Sequence, residues 1–492
     1  MAEHRGAALP QRVGSGKTLI SALAPAVLGS KRPLLLLPAS LVGKTKIEFG
    51  HLSEHWDVPN YYRIESYETL SRIGSVTALD AYGPDLVFCD EAHKLKNLDA
   101  GVTRRVARYR EEHPECVFVA ASGTFTRTSI LDFAHLLRWC LGAVNAPVPI
   151  HKRELRDWAS LLDAKDTDIE PGALIALAES FGEDPRTRVR LGYGRRLNET
   201  PGIVATHDSP NDIGCSLVIR HVRHTPPPDL QAALTTLRDK WETPDEWPLF
   251  DGKDVQRHAR ELALGFFYRW DPRPPKDWLE ARKVWSANCR KVLRNNQRNL
   301  DTQFAVVNHI LQHPHDYPTA ALAYRDWSNI KDSFEPRTEP VWISNWGIER
   351  VREWIRKPGI VWTEHRAFAE RLEKELGISY YGRRGVNRYG QTIESHPTDS
   401  ACIASIKANS TGRNLQHWSR ALVVSPGMNA ALWEQNLGRL HRDGQKADSV
   451  EYDVFILTPE HEAAWDEALN MSRFQEEVMQ QEQKLIYADK VI

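Results

Sequence analysis

Gly14-Ser15-Gly16-Lys17-Thr18 and, further along, Asp85-Leu86-Val87-Phe88-Cys89-Asp90-Glu91-Ala92-His93 are the two stretches on which the reading of this chain turns. The first has the make-up of a phosphate-binding loop. Glycines let backbone N–H groups approach phosphate oxygens at the start of a helix, where the helix dipole favours negative charge. Lys17 adds a positive charge for the β- and γ-phosphates, and Thr18 offers a hydroxyl to Mg²⁺. The second stretch is an apolar run ending in two acids, the pattern of a buried parallel strand that delivers carboxylates at its C-terminal end. Asp90 is the candidate Mg²⁺ ligand, and Glu91 the candidate that polarises the attacking water. Together they read as the two halves of an ATP-hydrolysing site.

A third constellation lies near the far end. Gln435-Asn436-Leu437-Gly438-Arg439-Leu440-His441-Arg442-Asp443-Gly444-Gln445 places Arg439 and Arg442 three apart, on one helical face. A guanidinium stays charged and forks onto phosphate oxygens, which suits an arginine finger on a γ-phosphate.

With these three in this order, the chain resembles superfamily 2 helicases, and within them the Swi/Snf-like branch of double-stranded DNA translocases. Lys94-Leu95-Lys96-Asn97 after Asp-Glu-Ala-His is close to that branch's DEAHxxKN, and Arg439 to Gln445 matches its RxHRxGQ. Leu34–Leu37 with Pro38-Ala39-Ser40-Leu41 resembles motif Ia, and Ser66-Tyr67-Glu68-Thr69-Leu70 the branch's SYE segment. Ser122-Gly123-Thr124 resembles motif III. Ile360-Val361-Trp362-Thr363-Glu364-His365 resembles motif IV, and Ser410-Thr411-Gly412-Arg413-Asn414-Leu415 motif V. The likeness spans roughly residues 9–140 and 340–457.

The resemblance implies two RecA-like parallel-sheet lobes, with ATP and Mg²⁺ as cofactors and a cleft that closes on ATP. Gly14, Ser15, Gly16, Lys17, Thr18, Gln435 and Gly412 would bind nucleotide. Lys17, Asp90, Glu91, Arg439 and Arg442 would serve catalysis, with Thr18 and Asp90 on the metal. His93, Ser122, Thr124 and Gln435 would couple nucleotide state to lobe movement. Pro38, Ser40, Thr363 and Thr411 would touch the nucleic-acid backbone. The chain departs from the family in four places. Gln11 stands where the full loop pattern has Gly. Phe125-Thr126-Arg127 replaces the usual Pro and Asn after motif III, and motif V keeps only Gly412 of a double glycine. The chain also opens shortly before the loop, which implies a missing or very short counterpart of the segment that recognises adenine.

Length and composition bound the rest. A chain of 492 residues suggests about three domains with a large core. With 64 basic and 65 acidic residues the net charge is −1, so nucleic acid must be met by local basic patches rather than bulk charge. The six cysteines are isolated, which argues against zinc and for a reducing compartment. There is no charged-then-apolar leader and no run long enough to span a bilayer, so the expectation is a cytoplasmic protein with no membrane partner. Richness in Arg, Ala and Trp points to a GC-rich bacterial or phage source.

Four segments are expected. Residues 1–140 form the ATP-binding lobe, with strands at Leu34–Leu37, Leu86–Cys89 and Val117–Ala121. Leu19, Ile20, Leu23 and Val27 mark the inner face of its first helix. Residues 141–335 form a largely helical insertion and linker. Residues 336–460 form the second lobe, where Phe368, Leu372 and Leu376 mark a helix that Gly377 ends. Residues 461–492 read as a C-terminal helix. Within the insertion, five tryptophans lie in Trp241–Trp285, followed by Arg290, Lys291, Arg294 and Arg298 on one helical face. Arg186 to Arg196 with Tyr193 forms a second basic stretch. Aromatic and basic residues together can track a nucleic-acid strand; packing is the expectation for the tryptophans. Trp418 and Trp433 also read as packing residues. His309 with His313 has a spacing that can hold a metal on a helix, but with no acidic third ligand at a recognisable spacing metal binding is not the expectation.

The function expected is an ATP-dependent nucleic-acid motor, with double-stranded DNA as first partner. A strand-separating DNA or RNA helicase is the second reading, and a slow ATP-driven binding switch the third.

Overall fold

The computed structural model describes residues 6–11, 15–123, 125, 129–163, 185–205, 213–249, 251–294, 300, 302–409 and 412–491. The chain divides into two compact units. Met1–Thr206 and Asp271–Arg337 make the first, and His207–Trp270 and Thr338–Ile492 the second. Each is built on a parallel sheet, which makes the chain α/β, as its alternating pattern implies.

The first unit's sheet has five parallel strands: β1 (Gly6–Pro10), β2 (Pro33–Leu37), β3 (Arg63–Ser66), β4 (Leu86–Asp90) and β5 (Val117–Ser122). Their order is β1-β5-β4-β2-β3. β1, β2 and nearly all of β4 and β5 are buried, which is why they read as unbroken apolar runs rather than alternating ones. β5 lies between the strand that leads to the phosphate loop and the strand that ends in the acids.

The helix after the loop, Lys17–Leu28, does not present the expected face. Val27 is 68% exposed, whereas Ser21, Ala22, Ala24 and Pro25 are buried. Small side chains let this helix lie close to the sheet, with Ile20 and Leu28 packed at the margins of the same core. The larger residues mislead a reading by hydrophobicity alone.

The second unit's main sheet has seven parallel strands. In chain order it uses β6 (Ser216–Arg223), β9 (Gly359–Thr363), β10 (Tyr380–Tyr381), β11 (Ala401–Ser405), β12 (Arg420–Val423), β13 (Ser449–Ile456) and β14 (Asp489–Val491). They run in the order β10-β11-β9-β12-β13-β6-β14. β7 (Phe266–Trp270) and β8 (Thr338–Trp342) form a separate antiparallel pair. The helix Arg366–Leu376 buries Phe368 and Leu372 and ends at Gly377, whose φ of 68° suits a residue without Cβ.

Four successive segments do not describe this division. Residues 207–270 belong with the second unit, and β6 pairs with β13 over its whole length. β6 is half-exposed and mixed in polarity, so its sequence lacks the apolar run that marks the central strands. The C-terminal stretch is likewise more than a helix. After Pro459–Met479 the chain adds β14 beside β6.

The rest of the expected insertion folds with the first unit and is helical, over Lys152–Leu162, Pro185–Glu199, Lys276–Arg294, Gln303–Gln312 and Pro318–Ile330. Trp278 and Trp285 are buried there, and Tyr193 is buried in the second basic stretch. Trp241 is 44% exposed. Trp418 and Trp433 are core residues of the second unit. No helix among the described residues is long and apolar enough to cross a membrane.

Candidate functional site

In the first unit the sequence-marked residues converge at the C-terminal edge of the sheet. Gly16 caps the helix Lys17–Leu28 in left-handed backbone (φ 73°), with open space where a Cβ would stand. The first bond of the helix runs from Ile20 N–H to Gly16 O, at 3.1 Å. The N–H groups ahead of it therefore have no acceptor within the helix, the condition that makes a helix start receptive to anions. Ser15, Lys17 and Thr18 are half-buried around this turn. Gly14 lies outside the described residues.

From Lys17 a run of contacts crosses to the acids. Lys17 Nζ donates to Gln11 O at 2.9 Å. Gln11 N–H donates to Ser122 O at 3.2 Å, joining the end of β1 to the end of β5. Ser122 Oγ meets His93 Nδ1 at 3.0 Å, and the same nitrogen lies 3.2 Å from Glu91 Oε2. Ser122 and His93 are buried, and Glu91 nearly so at 9% exposure. Glu91 itself adopts φ 51°, a left-handed turn unusual for a residue with a side chain. Such strain persists where the surroundings over-determine it, and it occurs here at the step between β4 and the turn carrying His93.

Asp90 closes β4. Its carbonyl accepts Tyr67 O–H at 2.7 Å, and its Oδ1 accepts Glu91 N–H at 3.0 Å. Burial pushes its carboxyl up to about 7, the neighbouring Glu91 adds to the rise, and Lys17 opposes it. Two adjacent acids, Asp90 half-buried and Glu91 buried, carry a charge cost that a divalent cation would offset. Asp90 with the Thr18 hydroxyl thus fits a hard, oxygen-seeking metal, and the Gly16 turn with Lys17 fits a phosphate chain.

In the second unit the helix Ala430–Leu440 carries Arg439 but stops before Arg442, which lies in the turn beyond the helix C-cap His441. The two arginines therefore do not share the one helical face their spacing implied. Asn429 Oδ1 caps the helix by accepting Ala431 N–H. From Trp433 to Leu440 every residue is buried. Arg439 is 3% exposed; its Nε donates to Gln435 O at 3.1 Å and its Nη1 to Arg413 O at 2.9 Å. It ties the helix to the segment holding Gly412, which has φ 72°. Arg442 is half-buried, and its Nη1 donates to Asn414 Oδ1 at 2.6 Å. The two arginines therefore differ: Arg439 is set into the interior, Arg442 reaches outward. Gln435 is buried at 4% exposure.

The residues read as backbone contacts are less uniform. Ser40 is exposed at the start of the helix Ala39–Leu52, while Pro38 is buried. Thr363 is 1% exposed, and its hydroxyl accepts His365 N–H at 3.1 Å, so it fixes a turn. Thr124 and Thr411 lie outside the described residues.

Sequence reading assigned no role to Tyr67, Glu68 or Gln11. Tyr67 steadies the end of β4, and Glu68 Oε2 accepts Ala39 N–H at 2.9 Å, anchoring the helix that bears Ser40. The Ser-Tyr-Glu segment was the available signal. The sequence marks Gln11 only as a departure from the loop pattern and gives no sign of its part, which is played by main-chain atoms. For His309 the structure supplies an acidic partner, Asp316 Oδ2 at 2.8 Å; these residues gather with no other metal-ligating group, and the one such cluster among the described residues is Asp80, Glu112 and His113.

No protein-family model matches this sequence, and neither does any curated protein. Among solved structures the chain is similar to the SWI2/SNF2 ATPase core of Sulfolobus solfataricus in complex with dsDNA, at 13% identity and a TM-score of 0.32, covering 96% of this chain and 89% of that one.

Proposed function

We propose that this protein is an ATP-driven nucleic-acid motor that takes double-stranded DNA as its track. The observation that carries the reading is the run of contacts from Lys17 through Gln11, Ser122 and His93, whose last step brings His93 Nδ1 to 3.2 Å from Glu91 Oε2. It connects a phosphate-binding turn to a buried acid through the strand between them. A simple nucleotide-binding turn has no use for such a link, whereas a motor must pass the state of the γ-phosphate to the rest of the lobe.

In this reading the Gly16 turn and Lys17 hold the phosphates of ATP, while Thr18 and Asp90 hold Mg²⁺. The metal supplies charge neutralisation across the β- and γ-phosphates. Glu91 orients a water and takes its proton, and His93 holds the Glu91 carboxylate in place from behind. Ser122 transmits a shift of His93 to β5. Arg442 is the candidate for charge stabilisation in the transition state. Arg439 fixes the Gly412 segment. Contact with the track runs through phosphates and is indifferent to base sequence.

The deciding measurement is ATP turnover alone and with duplex DNA, single-stranded DNA or RNA. Selective stimulation by duplex DNA is the expected result. Stimulation by single strands or RNA instead would move the assignment to a strand-separating helicase. Turnover indifferent to all three would sink the motor reading.

A further inference from the structure

The helix Lys276–Arg294 has two opposed faces. Trp278, Trp285, Cys289 and Val292 point inward. Trp285 is 1% exposed and packs on Tyr324, and Trp278 packs edge-on against Trp327 and Phe334 and donates its Nε1–H to Lys331 O. The far face carries Lys276, Lys283, Arg290 and Arg294, at intervals of seven, seven and four residues, all exposed. At 3.6 residues per turn these four fall within about 40° of one another, in a stripe about 27 Å long. Asp277 lies about 100° round from Lys276, and the exposed Glu280 borders the stripe about 40° from Lys276 and Arg294. Lys276, Lys283 and Arg290 form no ion pair among the described residues, while Arg294 Nε lies 3.3 Å from Asp99 Oδ2.

We infer that this stripe is a docking surface for the phosphate backbone of duplex nucleic acid. The inference rests on the motor reading and gives it a second contact, outside the motifs. Charge is the argument for the occupant. The whole chain is nearly neutral, so four cations in line on one rigid helix are a local exception, complementary to a polyanion. The inward turn of the tryptophans decides which polyanion. Single strands are held by stacking bases on exposed rings, and this face offers none; Arg282 lies over the Trp278 ring, 5.2 Å from its centre, on the flank of the stripe. A row of point charges about 10 Å apart instead suits a stiff double-stranded backbone read without regard to sequence.

The test is the salt dependence of duplex binding by the full-length protein carrying K276Q, K283Q and R290Q together, with a labelled DNA duplex and no ATP. Removing one phosphate-binding cation lowers the slope of log affinity against log salt by about 0.9, so the triple variant should fall by about 2.7 in slope and about 100-fold in affinity at 0.15 M salt. Basal turnover without nucleic acid and the thermal midpoint should match wild type, because these residues are exposed and none belongs to the nucleotide site. Single-stranded DNA of equal length should lose much less affinity. The inference is overturned by an unchanged slope, or by a loss as large on single strands as on duplex. If duplex stimulates wild-type turnover but the slope is unchanged, the stripe alone fails. If duplex neither binds wild type nor stimulates it, both readings fail.

Discussion

The end of β4 and the helix Ala430–Leu440 present their key side chains in opposite ways. At β4 the groups sit on turns. Gly16 and Glu91 both take left-handed backbone, and the side chains beside them are held from other segments, Lys17 by the carbonyl of Gln11 just past β1 and His93 by Ser122 at the end of β5. On the helix Ala430–Leu440 the backbone is regular, and position is fixed by burial together with carbonyls of the same unit. The first arrangement stores strain and can respond to a ligand; the second is a rigid mount. The difference predicts that substitutions at the turns damage chemistry with little loss of stability, while substitutions on the helix and in the turn just past its end divide sharply by depth.

That division is the largest effect to look for. Arg442→Ala should lower nucleic-acid-stimulated turnover by about 10³–10⁵-fold with nearly unchanged nucleotide affinity, and Lys should rescue poorly for want of the planar fork. Arg439→Ala, only three residues away, should instead lower the unfolding free energy by about 2 kcal/mol, because two carbonyls lose a charged donor. Turnover and denaturant unfolding of both variants would test this. Equal stability losses would mean that depth does not separate them.

Next, Glu91→Gln should lose about 10²–10⁴-fold in turnover and still bind nucleotide, since the amide keeps the size but cannot take a proton. Loss of nucleotide binding in equilibrium titrations would show Glu91 to be structural.

Ser122→Ala sharpens the comparison from within the turns. It removes the hydroxyl between β5 and His93, so stimulation by nucleic acid should fall about 10-fold while basal turnover stays within a few-fold, one hydrogen bond being worth about 1 kcal/mol. Equal loss of basal and stimulated turnover would mean that Ser122 supports the site without coupling it.

The smallest effect compares two glycines with similar backbone. Gly16→Ala and Gly377→Ala should each cost about 1 kcal/mol of stability, because φ is 73° and 68° and neither Cβ would meet a neighbour. Only Gly16→Ala should also weaken nucleotide binding. If both variants bind nucleotide like wild type, the turn at Gly16 is not a phosphate site.

The signals behind the proposed chemistry are legible because they are local. The loop from Ser15 to Thr18, the Asp90-Glu91-Ala92-His93 step and the pair Arg439 and Arg442 each declare themselves within a few residues, and buried parallel strands such as Pro33–Leu37 announce themselves as apolar runs. Only the tertiary structure decided what those pieces are joined to. The order β1-β5-β4 brings Ser122 to His93 across 29 positions of chain, and the pairing of β6 with β13 moves residues 207–270 into the second unit. Depth separates Arg439 from Arg442, and close packing on small residues turns Val27 outward. Residue type and spacing encode period and charge. Which strand lies beside which, and which face is covered, are set by contacts between segments far apart in the chain, and no single window of sequence contains both partners.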